Sequence, residues 1–217
     1  MRLRHKPWVK EAIQQFDAFV FAADNPPPAT IKGNWRSIFP APNPLSLEIG
    51  SGKGDFITGM AEKFTEKNFI GLEVAESVLY TAAQKVAAGE FGNIRLVVQD
   101  AKHLPELFAP GEIDEIYINF CDPWPKKRHA KRRLTHRDFL TVYRQLCVKG
   151  GRLCLKTDNA PLFEFSLGEF QTVGLNIISV TRDLYAGDDI SGNVPTEYEK
   201  KFNAIGTKIC RAEVIFP

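Results

Sequence analysis

Residues 45 to 55 read L-S-L-E-I-G-S-G-K-G-D, an apolar run that passes straight into glycines at 50, 52 and 54. Glycines at such a turn let the backbone bend sharply and let a ligand approach the main chain with no Cβ in the way. A nicotinamide-type fingerprint wants G-x-G-x-x-G, and Asp55 stands where its last glycine belongs. A Walker loop is excluded as well, because Gly54 is not followed by Lys and Ser or Thr. Beyond the turn, Phe56, Ile57, Met60, Ala61 and Phe64 recur at the spacing of one helix face. Strand, glycine turn and helix in that order predict the first unit of an α/β domain. The plain alternative is a glycine turn that binds nothing.

Outward from this unit the same alternation continues. Strands are predicted at Phe69 to Glu73, Ile94 to Val98, Ile113 to Phe120 and Arg152 to Lys156, with further β-rich runs at Leu175 to Thr181 and Lys208 to Phe216. Helices are predicted near Ala75 to Ala88 and Pro161 to Thr172. A third starts at a capping-box-like Thr135 with Asp138, carries the stripe Phe139, Leu140, Tyr143, Leu146 and Cys147, and stops at Gly150 and Gly151. Residues Tyr185 to Gly206 are too long for a tight hairpin, and insertions of that length between paired strands tend to be functional or mobile. Upstream, residues 8 to 23 are compatible with a short helix. Six of the fourteen prolines then fall between Pro26 and Pro44, which rules out regular structure there. We therefore expect an N-terminal helix and Pro-rich arm over 1–44, packed through Trp35, Ile38 and Phe39 onto a domain over 45–217.

Composition sets the outer bounds. The 217 residues are 44% apolar and 25% charged, which excludes disordered, collagen-like and coiled-coil chains. Lys plus Arg number 28 against 26 for Asp plus Glu, so any electrostatic argument is local. Cys121, Cys147, Cys154 and Cys210 lack metal-ligand spacing and fit reduced thiols, with no metal expected. The basic N-terminus is not followed by a signal-type segment, and no window is long and apolar enough for a membrane span. These features predict a cytoplasmic protein; monomer and homodimer stay open.

Glu48, Glu73, Asp100 and Asp122 stand at the carboxyl ends of successive predicted strands, the edge where open parallel sheets hold ligands. Each alone reads as a cap or loop residue. Together they suit a cationic or hydroxyl-rich ligand. Here the chain resembles the class I S-adenosylmethionine-dependent methyltransferases, whose first motif is an acidic residue followed by G-x-G-x-G. The resemblance implies a three-layer Rossmann-like fold, with a seven-stranded, mostly parallel sheet and an antiparallel last strand. It also implies S-adenosyl-L-methionine as cofactor, with contacts at Glu48, Gly50, Gly52, Glu73, Asp100 and Asp122.

After the fourth of these strands comes D-P-W-P, in which two prolines stiffen a turn around an aromatic. Lys126 to Arg137 then carries seven basic residues and no acid. Such a run is usually a solvated face, but beside a ligand edge it suits a polyanion. D-P-W-P-K-K-R-H-x-K-R-R, K-T-D-N at Lys156 to Asn159 and T-E-Y-E at Thr196 to Glu199 make the chain similar to the bacterial tRNA (guanine-N7-)-methyltransferases along almost its whole length. That resemblance implies methylation of a variable-loop guanosine in tRNA. It implies Asp122 at the catalytic centre, Lys126, Asp158, Thr196, Glu197, Tyr198 and Glu199 on the substrate, and Arg128, His129, Lys131, Arg132 and Arg133 on the RNA. From the residues alone, Thr196 with Glu199 is equally a capping box stopped by Gly206, and Asp158 an Asx turn.

Guanine N7 carries an in-plane lone pair and no proton, so a methyl transfer to it needs alignment and charge stabilisation rather than a general base. Two other readings stand beside this one. D-P-W-P is similar to the Asp/Asn-Pro-Pro-aromatic motif of exocyclic-amine methyltransferases, and the basic run also suits an RNA-binding protein without activity.

Overall fold

In the computed structural model, which describes residues 8–187, 190 and 192–217, the strand expected at Leu45 to Ile49 is present, and a short strand at Val20–Phe21 precedes it. The chain forms two compact units, Met1–Ala109 and Pro110–Pro217. The arm packs into the first unit through a few buried apolar residues, among them Ile31, Trp35 and Phe39, while most of its other described residues are exposed or half-buried. Trp35 is fully buried, stacks on Phe108 and donates from Nε1 to the Leu107 carbonyl at 2.9 Å. Residues 1–7 of the expected arm lie outside the described residues.

The first unit contains α1 (Val9–Ala12), β1 (Val20–Phe21), β2 (Leu45–Ile49), α2 (Asp55–Lys63), β3 (Asn68–Glu73), α3 (Glu76–Ala88), β4 (Ile94–Val98) and α4 (Leu104–Leu107). Its strands lie in the order β1-β4-β3-β2, all parallel. Every residue of β2 is buried, as expected of a strand covered on both faces. The helix anticipated over residues 8 to 23 is shorter than expected. A 3-10 turn at Ile13–Phe16 ends it, and Val20 then pairs with Leu96. The β-branched Val20 is fully buried there, and the Leu96 N–H donates to the Phe19 carbonyl at 2.9 Å, bonds that a continued helix would forfeit.

The second unit contains β5 (Ile113–Asn119), α5 (Arg137–Leu146), β6 (Cys147–Thr157), α6 (Ala160–Thr172), β7 (Asn176–Thr181), α7 (Glu197–Ala204) and β8 (Cys210–Ile215). Its order is β5-β6-β8-β7; β5 and β6 run parallel, and the last strand, β8, is antiparallel to both its neighbours. Eight strands are thus described where seven were expected, the extra one being the two-residue β1. The fold is the anticipated α/β Rossmann-like one.

Two local expectations are corrected in this unit. Thr135 does not cap α5; its hydroxyl bonds Ser166 at 2.7 Å, and His136 Nδ1 accepts the Asp138 N–H instead. Glu169 of α6 completes that helix start, accepting the Arg137 backbone N–H at 2.7 Å and its guanidinium at 2.7 and 3.0 Å. The Arg137 hydrogen bonds hold the Glu169 carboxyl below its ordinary range, against the opposing effect of burial. Gly150 and Gly151 do not stop the helix either. α5 ends at Leu146 and β6 begins at once, with Cys147 paired to Ile113. The two glycines sit inside β6, where Gly150 takes φ +78° beside an irregularity in the β5–β6 register.

Candidate active site

In the first unit, Glu48, Glu73 and Asp100 fall at the carboxyl ends of β2, β3 and β4, which are neighbours in the sheet. The glycine turn between β2 and α2 is built on that edge. Gly50 and Ser51 donate to the Leu72 carbonyl at 2.7 and 3.0 Å, which ties the turn to β3. Glu73 fixes its tip, with one carboxylate oxygen accepting the Gly52 N–H at 3.1 Å and the other the Ala75 N–H at 3.0 Å. Gly52 has φ +57°, and a Cβ built on it meets nothing within 4 Å, so its backbone faces open space. Gly54 is different. At φ +86° it precedes α2, and a Cβ there would lie 2.8 Å from that of Ala82. Its requirement is for helix packing, and that of Gly50 and Gly52 is for access.

The Ser51 hydroxyl in this turn is buried and has no hydrogen-bond partner among the described residues. An open backbone, a buried hydroxyl awaiting a partner and Glu73 with lone pairs to spare fit a ligand bearing hydroxyl and amino groups. Asp100 has a local task as well, accepting the Lys102 N–H at 3.0 Å at the start of a 3-10 turn.

In the second unit, β5 leads into the D-P-W-P turn. Phe120 and Trp124 take φ +51° and +42°, strained values for residues with side chains, and such values persist only where surroundings enforce them. Arg133 does so. Its Nε donates to the Pro123 carbonyl at 3.1 Å and a terminal nitrogen to the Trp124 carbonyl at 3.0 Å, with the guanidinium 4.3 Å from the centre of the Phe165 ring. Arg132 lies over the Trp124 ring at 4.8 Å and His129 meets its edge. The turn is thereby braced from behind, with Asp122 on the exposed side. Cys121 beside it is a neutral thiol, pushed up to about 12 first by burial and then by the charge of Asp122, so it is no nucleophile at neutral pH.

The five residues expected on RNA therefore separate. Arg128, Lys131 and Arg132 are exposed, as are Lys126 and Lys127, while His129 is half-buried. Arg133 faces inward and is spent on the turn, a role the charge pattern alone did not reveal.

T-E-Y-E separates in the same way. Thr196 caps α7 and forms a full capping box with Glu199. At the other end the Gly206 and Thr207 N–H groups donate to the Asn203 and Phe202 carbonyls, so the anticipated glycine stop is also present. Glu199 does not face outward to a substrate. Its side chain is fully buried and accepts from Lys156 Nζ at 2.5 Å, Tyr185 Oη at 2.9 Å, Asn193 Nδ2 at 2.6 Å and the Thr196 N–H at 3.3 Å. Four donors on one carboxylate leave little capacity for a ligand, and they make Glu199 an anchor of α7. Burial, then the bond to Glu199, pushes the Tyr185 hydroxyl up to about 12. Glu197 and Tyr198 remain exposed.

Lys156 also donates to the Val194 carbonyl at 2.9 Å. A lysine in the apolar run L-C-L-K-T is the sequence signal for this role, since burial there demands a counter-charge. The rest of K-T-D-N is likewise placed. Thr157 accepts the Asn159 N–H at 3.1 Å and Asn159 caps α6, whereas Asp158 between them is half-buried. Among the described residues no group of three or more His, Cys, Asp or Glu side chains is arranged to hold a metal, and no helix is long and apolar enough to cross a membrane. The four cysteines are free.

An α/β fold with a glycine turn opened toward acidic strand ends defines a methyltransferase-type domain. A family model described as a putative methyltransferase matches residues 42–212. The tRNA (guanine-N(7)-)-methyltransferase of Listeria monocytogenes serotype 4b (strain F2365) is 48% identical over 216 residues, covering 100% of this chain and 99% of that protein. Its counterpart in Bacillus subtilis (strain 168) is 46% identical, covering 99% of this chain and 98% of that one. Among solved structures, the 16S rRNA methyltransferase KamB shares the fold at TM-score 0.65 and 13% identity, over 91% of this chain and 95% of that one. The Haemonchus contortus phosphoethanolamine N-methyltransferase 2 in complex with S-adenosyl-L-methionine does so at TM-score 0.54 and 13% identity, over 81% and 49%. The chain belongs to the tRNA (guanine-N7-)-methyltransferase family.

Proposed function

We propose that this protein transfers a methyl group from S-adenosyl-L-methionine to N7 of a variable-loop guanosine of tRNA, acting in the cytoplasm. The observation that carries the reading is an exposed carboxylate, Asp122, on a braced turn followed within four residues by an exposed cationic strip. Glu48, Gly50, Gly52, Glu73 and Asp100 are the residues that would hold the cofactor, which when bound supplies an electrophilic methyl group on a sulfonium. Acidic strand ends attract that positive charge, and Glu73 can accept ribose hydroxyls with the lone pairs its backbone bonds leave over.

On the substrate side, Asp122 stabilises the positive charge that methylation places on the imidazole half of the base. Asp158 accepts from guanine N1 and N2 donors, which adenine does not offer in the same pattern. Lys126 contacts the guanosine, Arg128, His129, Lys131 and Arg132 take the phosphates, and Thr196 with Glu199 sets the position of Glu197 and Tyr198. No residue is required to remove a proton from N7.

Arg132 and Arg133 separate experimentally. Arg132→Ala is expected to weaken tRNA binding and to flatten its log K against log salt slope by about one unit, since one phosphate contact is lost. Arg133→Ala is expected to keep that slope and to lower the rate, because the turn loses its brace. Equal slopes in a salt titration of the two variants would remove the distinction. The function itself is tested by incubating the protein with methyl-labelled cofactor and unmodified tRNA, then digesting and mapping the label. Label on an exocyclic amine, or none, overturns the reading.

A further inference from the structure

Three aromatic side chains meet beside the carboxyl end of β5. The ring centroids of Phe120, Tyr198 and Phe202 lie 6.4, 6.0 and 6.2 Å apart pairwise, with ring planes inclined by only 22 to 24°. In a column of three rings the outer pair would be separated by twice the nearest spacing. Three nearly equal sides therefore describe a cluster. It is not buried: Tyr198 is 58% exposed, and the other two are half-buried. An aromatic ring left in water forgoes most of the stabilisation its area would bring in a core.

The fold also works to keep the cluster where it is. Phe120 holds a left-handed backbone conformation, and its N–H donates to the Lys156 carbonyl at 2.8 Å. Lys156 in turn anchors Glu199 of α7, one residue beyond Tyr198. The rings are thus fixed to the segment that bears Asp158 and begin two residues before Asp122.

We infer that Phe120, Tyr198 and Phe202 form the stacking face for the target purine, and that Tyr198 grips it more strongly as N7 acquires the methyl group. The inference rests on the proposed methylation of guanine N7. In that transfer the S–CH3 bond breaks and the N7 lone pair forms the new N–CH3 bond. A neutral thioether leaves, the purine becomes cationic, and no proton moves. An aromatic face carries negative quadrupole charge, so it attracts the cationic purine beyond the stacking that any base receives. A contact that strengthens along the reaction raises the rate of the chemical step instead of merely tightening substrate binding.

The test compares wild-type protein with Tyr198→Leu and Tyr198→Phe. Single-turnover methylation of unmodified tRNA is measured alongside tRNA affinity, and guanosine and 7-methylguanosine monophosphates are titrated by fluorescence quenching. Tyr198→Leu is expected to slow the transfer about tenfold, the scale of one cation–π contact, with tRNA affinity within about twofold of wild type. Wild type should prefer the methylated nucleotide, Tyr198→Leu should lose that preference, and Tyr198→Phe should recover most of the rate because it keeps the ring. A Tyr198→Leu rate equal to wild type, equal binding of both nucleotides, or a change confined to oligomeric state in light scattering overturns the inference. The parent reading fails separately: wild-type protein that forms no 7-methylguanosine in tRNA ends both, whereas active wild type matched by Tyr198→Leu ends only the stacking.

Discussion

Asp122→Ala is expected to lower single-turnover methylation by about a hundredfold or more, the scale on which one preorganised electrostatic group acts at a reacting centre. Its affinity for tRNA should stay within about twofold, because the phosphate contacts lie on the strip that follows. The turn itself should survive the change. Arg133 bonds the carbonyls of Pro123 and Trp124 and does not depend on the Asp122 side chain. A rapid-quench assay with tRNA and cofactor both saturating reads the effect directly. Wild-type rates in that assay would take Asp122 out of the chemistry and leave Asp158 as the carboxylate to examine.

The largest effect on stability is expected from Lys156→Met. The Lys156 and Glu199 side chains are 5% and 0% exposed, so the substitution strands a buried carboxylate without its cation. Breaking a buried pair by removing one partner costs about 3–5 kcal/mol. Because Lys156 also holds the Val194 carbonyl and, through Glu199, the start of α7, activity should fall with stability. The double variant Lys156→Met, Glu199→Leu removes both charges and should recover most of the loss, with strong non-additivity between the sites. Urea melts of wild type, Lys156→Met, Glu199→Leu and the double variant check this. A Lys156→Met variant within 1 kcal/mol of wild type would show that the other three donors to Glu199 suffice.

Both expectations concern residues whose importance was unequally visible. Asp122 stands between an apolar run and two prolines, a local pattern that places it at a strand end whatever the rest of the chain does. The glycine turn was legible for the same reason: conformations at positive φ select glycine residue by residue, and the helix stripe starts where the glycines end. Strands β2 and β4 match the expected ranges to the residue because runs this apolar are buried on both faces and admit no other register.

What the chain alone left undecided depends on partners distant in sequence. A capping signal at Thr135 was misassigned because its hydroxyl goes to Ser166 on α6 and His136 takes the helix start. Arg133 was counted with the cations of the strip, since charge pattern says nothing about which guanidinium turns inward to carbonyls and a ring. The T-E-Y-E motif does not show that the Glu199 carboxylate is enclosed by Lys156, Tyr185 and Asn193, the first of them 43 residues earlier. The aromatic cluster joins Phe120 to Tyr198 and Phe202, which follow it in the chain by 78 and 82 residues.

By itself the sequence determined the alternation of strands and helices, the glycine turn, the acidic strand ends and the family, because each rests on local conformational preference or on a contiguous motif. Only the tertiary structure decided which charged groups face a ligand and which hold the protein together. That choice is one of burial: a charge turned inward must find its counter-charge or its hydrogen bonds, and those are supplied by whatever elements the fold brings alongside.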